Sequence, residues 1–390
     1  MFAGTAGERD YGVLRGLRMT RPVLHVYSGN LYGGVETMLA TLAGKDCSQV
    51  ASEFALCFEG RLSAELRSLD APVHLLGPVR LSQLQSIWRA RAALSRLLRS
   101  RRFSAVICHA FWSYGIFSSV VRGRGLPALC WVHDEPKANH WIDRLSFLSL
   151  PDRVICNSRF VAGQLKTIWP GARSEIIYCP VRPAARGLSE EHRGAVRAEL
   201  GTPDGTTVII QASRFETWKG HTHTITALKE LGDTRLWEAW FVGGLQRPSE
   251  TKYLDRLRQA VRDFKLESRV RFLGQRSDVP RLLAAADIYC QPNTAPEPFG
   301  VAFVEALAAE LPVVATRLGA SLEILDSTCA ILVAPENTSA LSAALKYLID
   351  SPSDRKRLGS VGPARAKFLS SPQTQAAKLA ALIESLPRAA

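Results

Sequence analysis

Two glutamates stand eight residues apart in NTAPEPFGVAFVEALAAELPVVAT, residues 293–316. Glu297 lies between Pro296 and Pro298, and a residue that precedes proline is pushed to extended geometry, so it belongs to a loop. From Pro298 or Gly300 onward, Val301, Val304, Glu305, Leu307 and Ala308 recur at helical spacing, which puts Glu305 on the second turn of a helix. Leu311-Pro312 ends that helix, VVAT reads as a buried strand, and ADIYCQP upstream reads as another. Both carboxylates then reach the crevice at the carboxyl end of a strand, where open α/β sheets bind ligands. A helix that opens at Phe299, Gly300 and Val301 turns free N–H groups and a positive dipole end toward a phosphate, and the glycine lets that backbone come close. Glu305 suits ribose hydroxyls and Glu297 a sugar hydroxyl. Arg214 and Lys219 occur in ASRFETWKG, residues 212–220, on a loop between a strand and the next helix. Two cations there hold a diphosphate, arginine by its fork and lysine as a point charge; in isolation the same loop suits a solvated surface.

The elements that must position these groups come from hydrophobic patterning. In the first half, strands are expected at 22–27, 53–58, 72–76, 104–108, 127–132 and 153–156, with helices at 34–43, 61–69, 82–100 and 158–168. A stretch rich in proline, glycine and charge at 179–196 reads as a linker. Alternation then restarts with strands at 207–213, 237–244, 269–274 and 287–292 and helices from 220, from 249 and at 278–285. Strand–helix alternation calls for a parallel, doubly wound sheet, and 390 residues suit two domains. The expected division is a flexible extension at 1–21, domains at 22–183 and 184–371, and a last helix within 372–390 that packs on either domain. Met19 is a second candidate start.

The composition is globular, with 46% hydrophobic and 22% charged residues. No apolar run approaches the roughly 18 residues of a membrane span, and the first twenty residues lack a signal-peptide core. None of the eight cysteines makes a CxxC pair, which points to reduced core thiols in the cytoplasm rather than disulfides or zinc. The formal charge is +13, and +10 of it falls in residues 1–183. A basic half suits nucleic acid, an anionic membrane or an acidic ligand, and no nucleic-acid motif accompanies it. In 81–102, Leu84, Ile87, Trp88, Leu94 and Leu98 share one side of a helix and Arg89, Arg96 and Arg99 lie elsewhere. Such a helix either covers the sheet or lies on anionic lipid. The pair in HTH, residues 221–223, shares no helix face and reads as capping and surface rather than metal binding.

Together these residues resemble the GT-B retaining glycosyltransferases of family 4. Glu297 and Glu305 match that family's Glu-x7-Glu pattern, and Arg214, Lys219 and Gly220 match its Arg-x4-Lys-Gly element. SGNLYGGVETML, with Gly33, Gly34 and Glu36, is similar to its first glycine-rich loop, and WVHDE, with His133, to its histidine-bearing strand end. The resemblance spans about residues 22–370. It implies two Rossmann-like domains across a cleft, the second taking a UDP-, GDP- or ADP-sugar and the first a glycan or lipid-linked acceptor. It further implies retention at the anomeric carbon, His133 near that carbon, and an acceptor read by Gly33, Gly34 and the region 109–114. No Asp-x-Asp sequence occurs, so the expected site needs no metal or other cofactor. The alternatives are a nucleotide-sugar epimerase of related fold and a non-catalytic, membrane-associated sensor.

Overall fold

Apolar runs of four to six residues, too short for buried helices and flanked by turn residues, fold as strands covered on both faces. The computed structural model describes residues 21–135, 149–182, 190–232 and 236–387, together with residues 144 and 146. The expected extension and Met19 lie outside the described residues. The first sheet contains β1 (Val23–Tyr27), β2 (Ser52–Leu56), β3 (Val73–Leu75), β4 (Ala105–His109), β5 (Ala128–Val132), β6 (Arg153–Cys156) and β7 (Ser174–Ile176). Its order is β3-β2-β1-β4-β5-β6-β7, and the pairs are parallel. The second contains β8 (Thr207–Ala212), β9 (Trp237–Val242), β10 (Val270–Gly274), β11 (Ile288–Gln291), β12 (Val313–Thr316) and β13 (Ala330–Val333). Its order is β10-β9-β8-β11-β12-β13, again parallel.

Each order reverses direction once, between β1 and β4 and between β8 and β11. Those switch points leave a crevice beyond the strand ends, because the flanking connections run to opposite faces. Every candidate residue named above falls in such a crevice or on its rim: Gly33 and Gly34 after β1, His133 after β5, Arg214 and Lys219 after β8, Glu297 to Glu305 after β11.

Several sequence expectations change. The stretch read as a linker, 179–196, runs into the helix Glu190–Glu199. Arg193 and Arg197 on that helix bind the two oxygens of Asp287, at 2.5 and 2.6 Å, which locks it to the start of β11. Charge density hid a packed helix whose polar groups have partners. The helices Phe111–Arg122, Thr338–Asp350 and Pro352–Ser370 were not singled out in the sequence. The last helix, Pro372–Glu384, packs on the first unit: Gln373 donates to Asp46, and Gln375 accepts from the Tyr178 N–H. Leu379, Leu382 and Ile383 join the core that includes Leu39 and Leu42. All eight cysteines are buried and free.

On the basic helix Leu84–Ser100 the buried face is Ala90, Leu94 and Leu98. Leu84 and Trp88 do not join it; they are 71% and 68% exposed. Arg91 ties the helix to its neighbour through the Ile116 carbonyl and the Ser119 hydroxyl.

Candidate functional site

The second unit builds its half of the crevice around one carboxylate oxygen. Glu297 Oε2 accepts from Lys219 Nζ at 2.8 Å, Asn293 Nδ2 at 2.7 Å and Gln291 Nε2 at 3.3 Å. Oε1 of the same side chain has no partner among the described residues. The loop that carries Glu297 is held extended by a parallel bridge to Gly319. Gly319 has φ +62°, and a Cβ there would lie 2.5 Å from the Glu297 carbonyl oxygen and 2.6 Å from its nitrogen. Only glycine allows that approach. Gly220, at φ +75°, stands against Pro292 so closely that a Cβ would fall 1.9 Å from the carbonyl oxygen. This contact packs the Lys219 loop on the end of β11. Lys219 Nζ also lies 3.8 Å from the centre of the Trp218 ring.

Arg214 faces two carboxylates, Glu216 at 3.1 Å and Glu250 at 3.7 Å. Its Nη1 and Glu250 Oε1 are buried and lack hydrogen bonds. These two atoms face each other across the 3.7 Å of that loose ion pair, so the guanidinium is balanced by two carboxylates. Gly300 caps the helix Val301–Ala308 from a left-handed conformation, φ +93°. Glu305, on the second turn, has no hydrogen-bond partner among the described residues. Burial without a counter-charge pushes its carboxyl up to about 7.

The first unit closes over this arrangement. A Cβ on Gly33 would lie 3.7 Å from Arg214 Nε, and one on Gly34 would lie 3.3 Å from Val301. Tyr27 donates to Glu36 at 2.9 Å. Burial raises the pKa of Glu36, while Tyr27, backbone N–H groups and Arg214 pull it down. Beside those of the last helix, further polar ties cross between the units. The Gln246 amide binds both the N–H and the C=O of Tyr32, at 2.6 Å each. Ser158 donates to the Pro298 carbonyl at 2.6 Å. The Glu323 carboxylate accepts the Arg159 N–H at 2.9 and 3.0 Å and the Tyr178 hydroxyl at 2.5 Å.

The structure thus brings Arg214, Lys219, Glu297, Gly300, Val301, Glu305, Gly33 and Gly34 to one crevice; the Phe299 side chain instead is 2% exposed and stacks on Tyr178. His133 is 5% exposed, and its Nε2 is bonded to His109. In the region 109–114, His109 and Tyr114 are fully buried, while Ala110 and Trp112 stay partly exposed. His221 is no surface residue either: it is fully buried among Phe215, Phe241 and Tyr253. The partners Gln291, Asn293, Glu216, Glu250, Gln246 and Glu323 were missed in the sequence. A polar residue inside the apolar strand IYCQ was the available sign for Gln291; the others follow only from tertiary contact.

The family model described as "Glycosyltransferase Family 4" matches residues 32–185, and the one described as "Glycosyl transferases group 1" matches residues 193–365. The chain is 26% identical over 345 residues to the lipopolysaccharide core biosynthesis glycosyltransferase LpsD of Rhizobium meliloti, covering 87% of this chain and 91% of that one. It is 34% identical over 181 residues to the MMP alpha-(1->4)-mannosyltransferase of Mycolicibacterium hassiacum, 45% of this chain and 42% of that relative. Among solved structures, Anabaena Alr3699/HepE in complex with UDP-glucose superposes with a TM-score of 0.83 at 24% identity, covering 94% of this chain and all of that one. WaaG, a glycosyltransferase involved in lipopolysaccharide biosynthesis, superposes at 0.70 with 15% identity, over 93% of this chain and all of that one.

The raised Glu305 value has a stability consequence. Between pH 4.5 and about 7 the folded chain keeps a proton that the unfolded chain has released, so stability falls as pH rises through that window. Glu305→Gln removes this loss. Chemical denaturation is expected to find the variant more stable than wild type at pH 8, on the order of 2 kcal/mol, with little difference at pH 4.5. Equal stabilities at pH 8 would show that the carboxyl is not desolvated.

Proposed function

Because the chain belongs to the GT-B glycosyltransferases, we propose that it transfers a sugar from a nucleoside diphosphate sugar, with retention and without a metal, to a glycan or glycolipid of the cell envelope. The observation that carries this reading is the pairing of Lys219 with one oxygen of Glu297 while the other oxygen stays open. The lysine keeps two further N–H donors for a phosphate, and Glu297 Oε1 is left to accept a sugar hydroxyl. Arg214, part-exposed at the rim of the crevice, takes a second phosphate oxygen. The helix that begins at Val301 adds its free N–H groups.

These groups supply positive charge where the leaving diphosphate develops negative charge. Preorganised charge of this kind lowers the barrier without rearrangement at the moment of reaction. Glu305 holds the ribose, and in its ionised form it accepts from the hydroxyls. The acceptor enters from the first unit, over Gly33 and Gly34. It attacks on the face from which the diphosphate leaves: the new glycosidic bond forms as the anomeric carbon–phosphate oxygen bond breaks, and the acceptor's proton passes to the departing phosphate. His133 lies near the anomeric carbon and holds the sugar.

The acceptor class rests on the likeness to LpsD over most of both chains. Leu84 and Trp88, one helical turn apart and both exposed, suit the surface of an anionic bilayer on its cytoplasmic side. The exposed Arg89, Arg96 and Arg99 on the same helix have no carboxylate partner among the described residues. No helix among the described residues is long and apolar enough to cross a membrane.

The test is incubation with labelled UDP-, GDP- and ADP-sugars and a truncated lipopolysaccharide core, with EDTA present. Incorporation from one donor family is expected, with the anomeric configuration of the donor kept, and Lys219→Ala should lower it at least about 100-fold. Inverted product, dependence on a divalent metal, or no incorporation from any donor would contradict the reading. For the membrane contact, wild type should sediment with phosphatidylglycerol vesicles and Trp88→Glu should not; equal sedimentation of the two would remove this helix from the account.

A further inference from the structure

Three imidazoles form a hydrogen-bonded row inside the first unit. His25 Nδ1 lies 2.9 Å from His109 Nε2, and His109 Nδ1 lies 2.8 Å from His133 Nε2. Strand register explains the row. His25 pairs with Ile107 on β4 and His109 pairs with Trp131 on β5, so each histidine stands two residues further along the next strand, on the same sheet face. The row climbs diagonally from the core to the carboxyl edge. His25 and His109 are fully buried. The planes of His109 and His133 are 9° apart with centroids 5.1 Å apart. That is edge-to-edge contact in one plane, with the lone pair of one ring facing the N–H of the next. Phe54 flanks His25 and Trp131 flanks His109 and His133, while Tyr27 meets His109 edge-on and sends its hydroxyl to Glu36.

Burial keeps all three rings neutral at ordinary pH. A neutral imidazole has one N–H and one lone pair, and each link needs one of each. Both links therefore run in the same direction. Either all three protons sit on Nδ1 or all three sit on Nε2; any mixture breaks a link. The two states differ at the ends. His25 Nε2 and His133 Nδ1 are buried without partners. With the protons on Nε2, a bare N–H is stranded in the apolar core at His25. With the protons on Nδ1, the core end holds only a bare lone pair, and the unpaired N–H, also buried, sits at His133, the end at the carboxyl edge of the sheet. Each state leaves one buried N–H unpaired in the free chain, a rare defect, and the one at His133 is the one a ligand oxygen at the carboxyl edge can pair. The backbone at the middle ring is also constrained: Ala110, directly after His109, has φ +76° and ψ 159°, a region that glycine alone occupies without strain.

We propose that His25 and His109 are positioning residues that hold His133 in its Nδ1–H form, so that His133 meets the donor sugar as a hydrogen-bond donor. This rests on the reading of His133 as a sugar contact. Two-bond proton–nitrogen correlation spectra of 15N-histidine-labelled protein report each tautomer directly, with assignments from single substitutions. In wild type all three rings are expected to carry the proton on Nδ1. In His109→Phe, His133 is expected to shift to the Nε2–H form that free histidine favours, and turnover should fall about 10- to 100-fold, the usual cost of losing an orienting partner. An Nε2–H His133 in wild type, or a mixture among the three rings, overturns the proposal, and that spectrum does not depend on any variant folding. If His109→Phe leaves both tautomer and turnover unchanged in an active enzyme, the row is structural and the transfer reading stands. If no sugar is transferred at all, the transfer reading falls while the spectrum still decides the row.

Discussion

The ion pair between Lys219 and Glu297, 2.8 Å long and largely buried, is the constraint around which the second unit is arranged. Neither charge is tolerable alone at that depth. Removing one partner of a buried pair costs roughly 3–5 kcal/mol, because the other is left uncompensated. The surroundings stabilise the carboxylate end with two amides, and Tyr289 in turn donates to Gln291 at 2.7 Å. Three left-handed glycines set the distance. Gly220 lets the lysine loop sit on β11, Gly319 lets the glutamate loop lie extended, and Gly300 turns the chain into the helix that follows. Side chains at any of these would separate the charges by pushing backbone from backbone. Pairing also limits how much of the lysine's charge is spent, since one oxygen of the carboxylate and two protons of the ammonium stay free.

That half-site gains its second wall because both sheets reverse their order at one point and the two points face each other. The glycine loop after β1 reaches Arg214 and Val301, and at Gly34 a side chain would crowd Val301. The units are held in this relation by a few polar contacts, through Gln246, Ser158 and Glu323, and by the last helix, which carries apolar side chains from the second unit into the core of the first. A handful of hydrogen bonds, each worth about 1 kcal/mol net, fixes an orientation without making it permanent. Among the described residues the cations of the candidate crevice, Arg214 and Lys219, come from the second unit, and part of the positive excess of the first half lies on the exposed side of the helix Leu84–Ser100.

Much of this was legible in the sequence because the signals were local. Prolines around Glu297 fixed a loop, helical spacing placed Glu305 on the second turn, and apolar runs marked eleven of the thirteen strands to within one or two residues. β7 was lost because its three residues, Ser174–Ile176, carry no apolar pattern, and β13, Ala330–Val333, was not marked as a strand. The helix Glu190–Glu199 was taken for linker because Arg193 and Arg197 look solvated until Asp287 arrives from 90 residues away. Long-range pairing was the general limit. Nothing near Glu323 in the chain signals that its carboxylate caps a helix in the other unit. The three histidines sit in separate strands, and only the register of β1, β4 and β5 makes them a row. His221 was misjudged for the converse reason: a polar residue at a helix start looked exposed, and the aromatic ring of residues that covers it comes from three other elements.

The most direct measurement of the central claim, that Lys219 and its neighbours are preorganised to hold a nucleoside diphosphate, is calorimetric titration of UDP, GDP and ADP into the protein with EDTA present. One of the three should bind, and Lys219→Ala should weaken it roughly 10- to 100-fold, the loss expected for a charge-assisted hydrogen bond. Failure of all three to bind a folded sample, or equal affinity in the variant, would contradict the account.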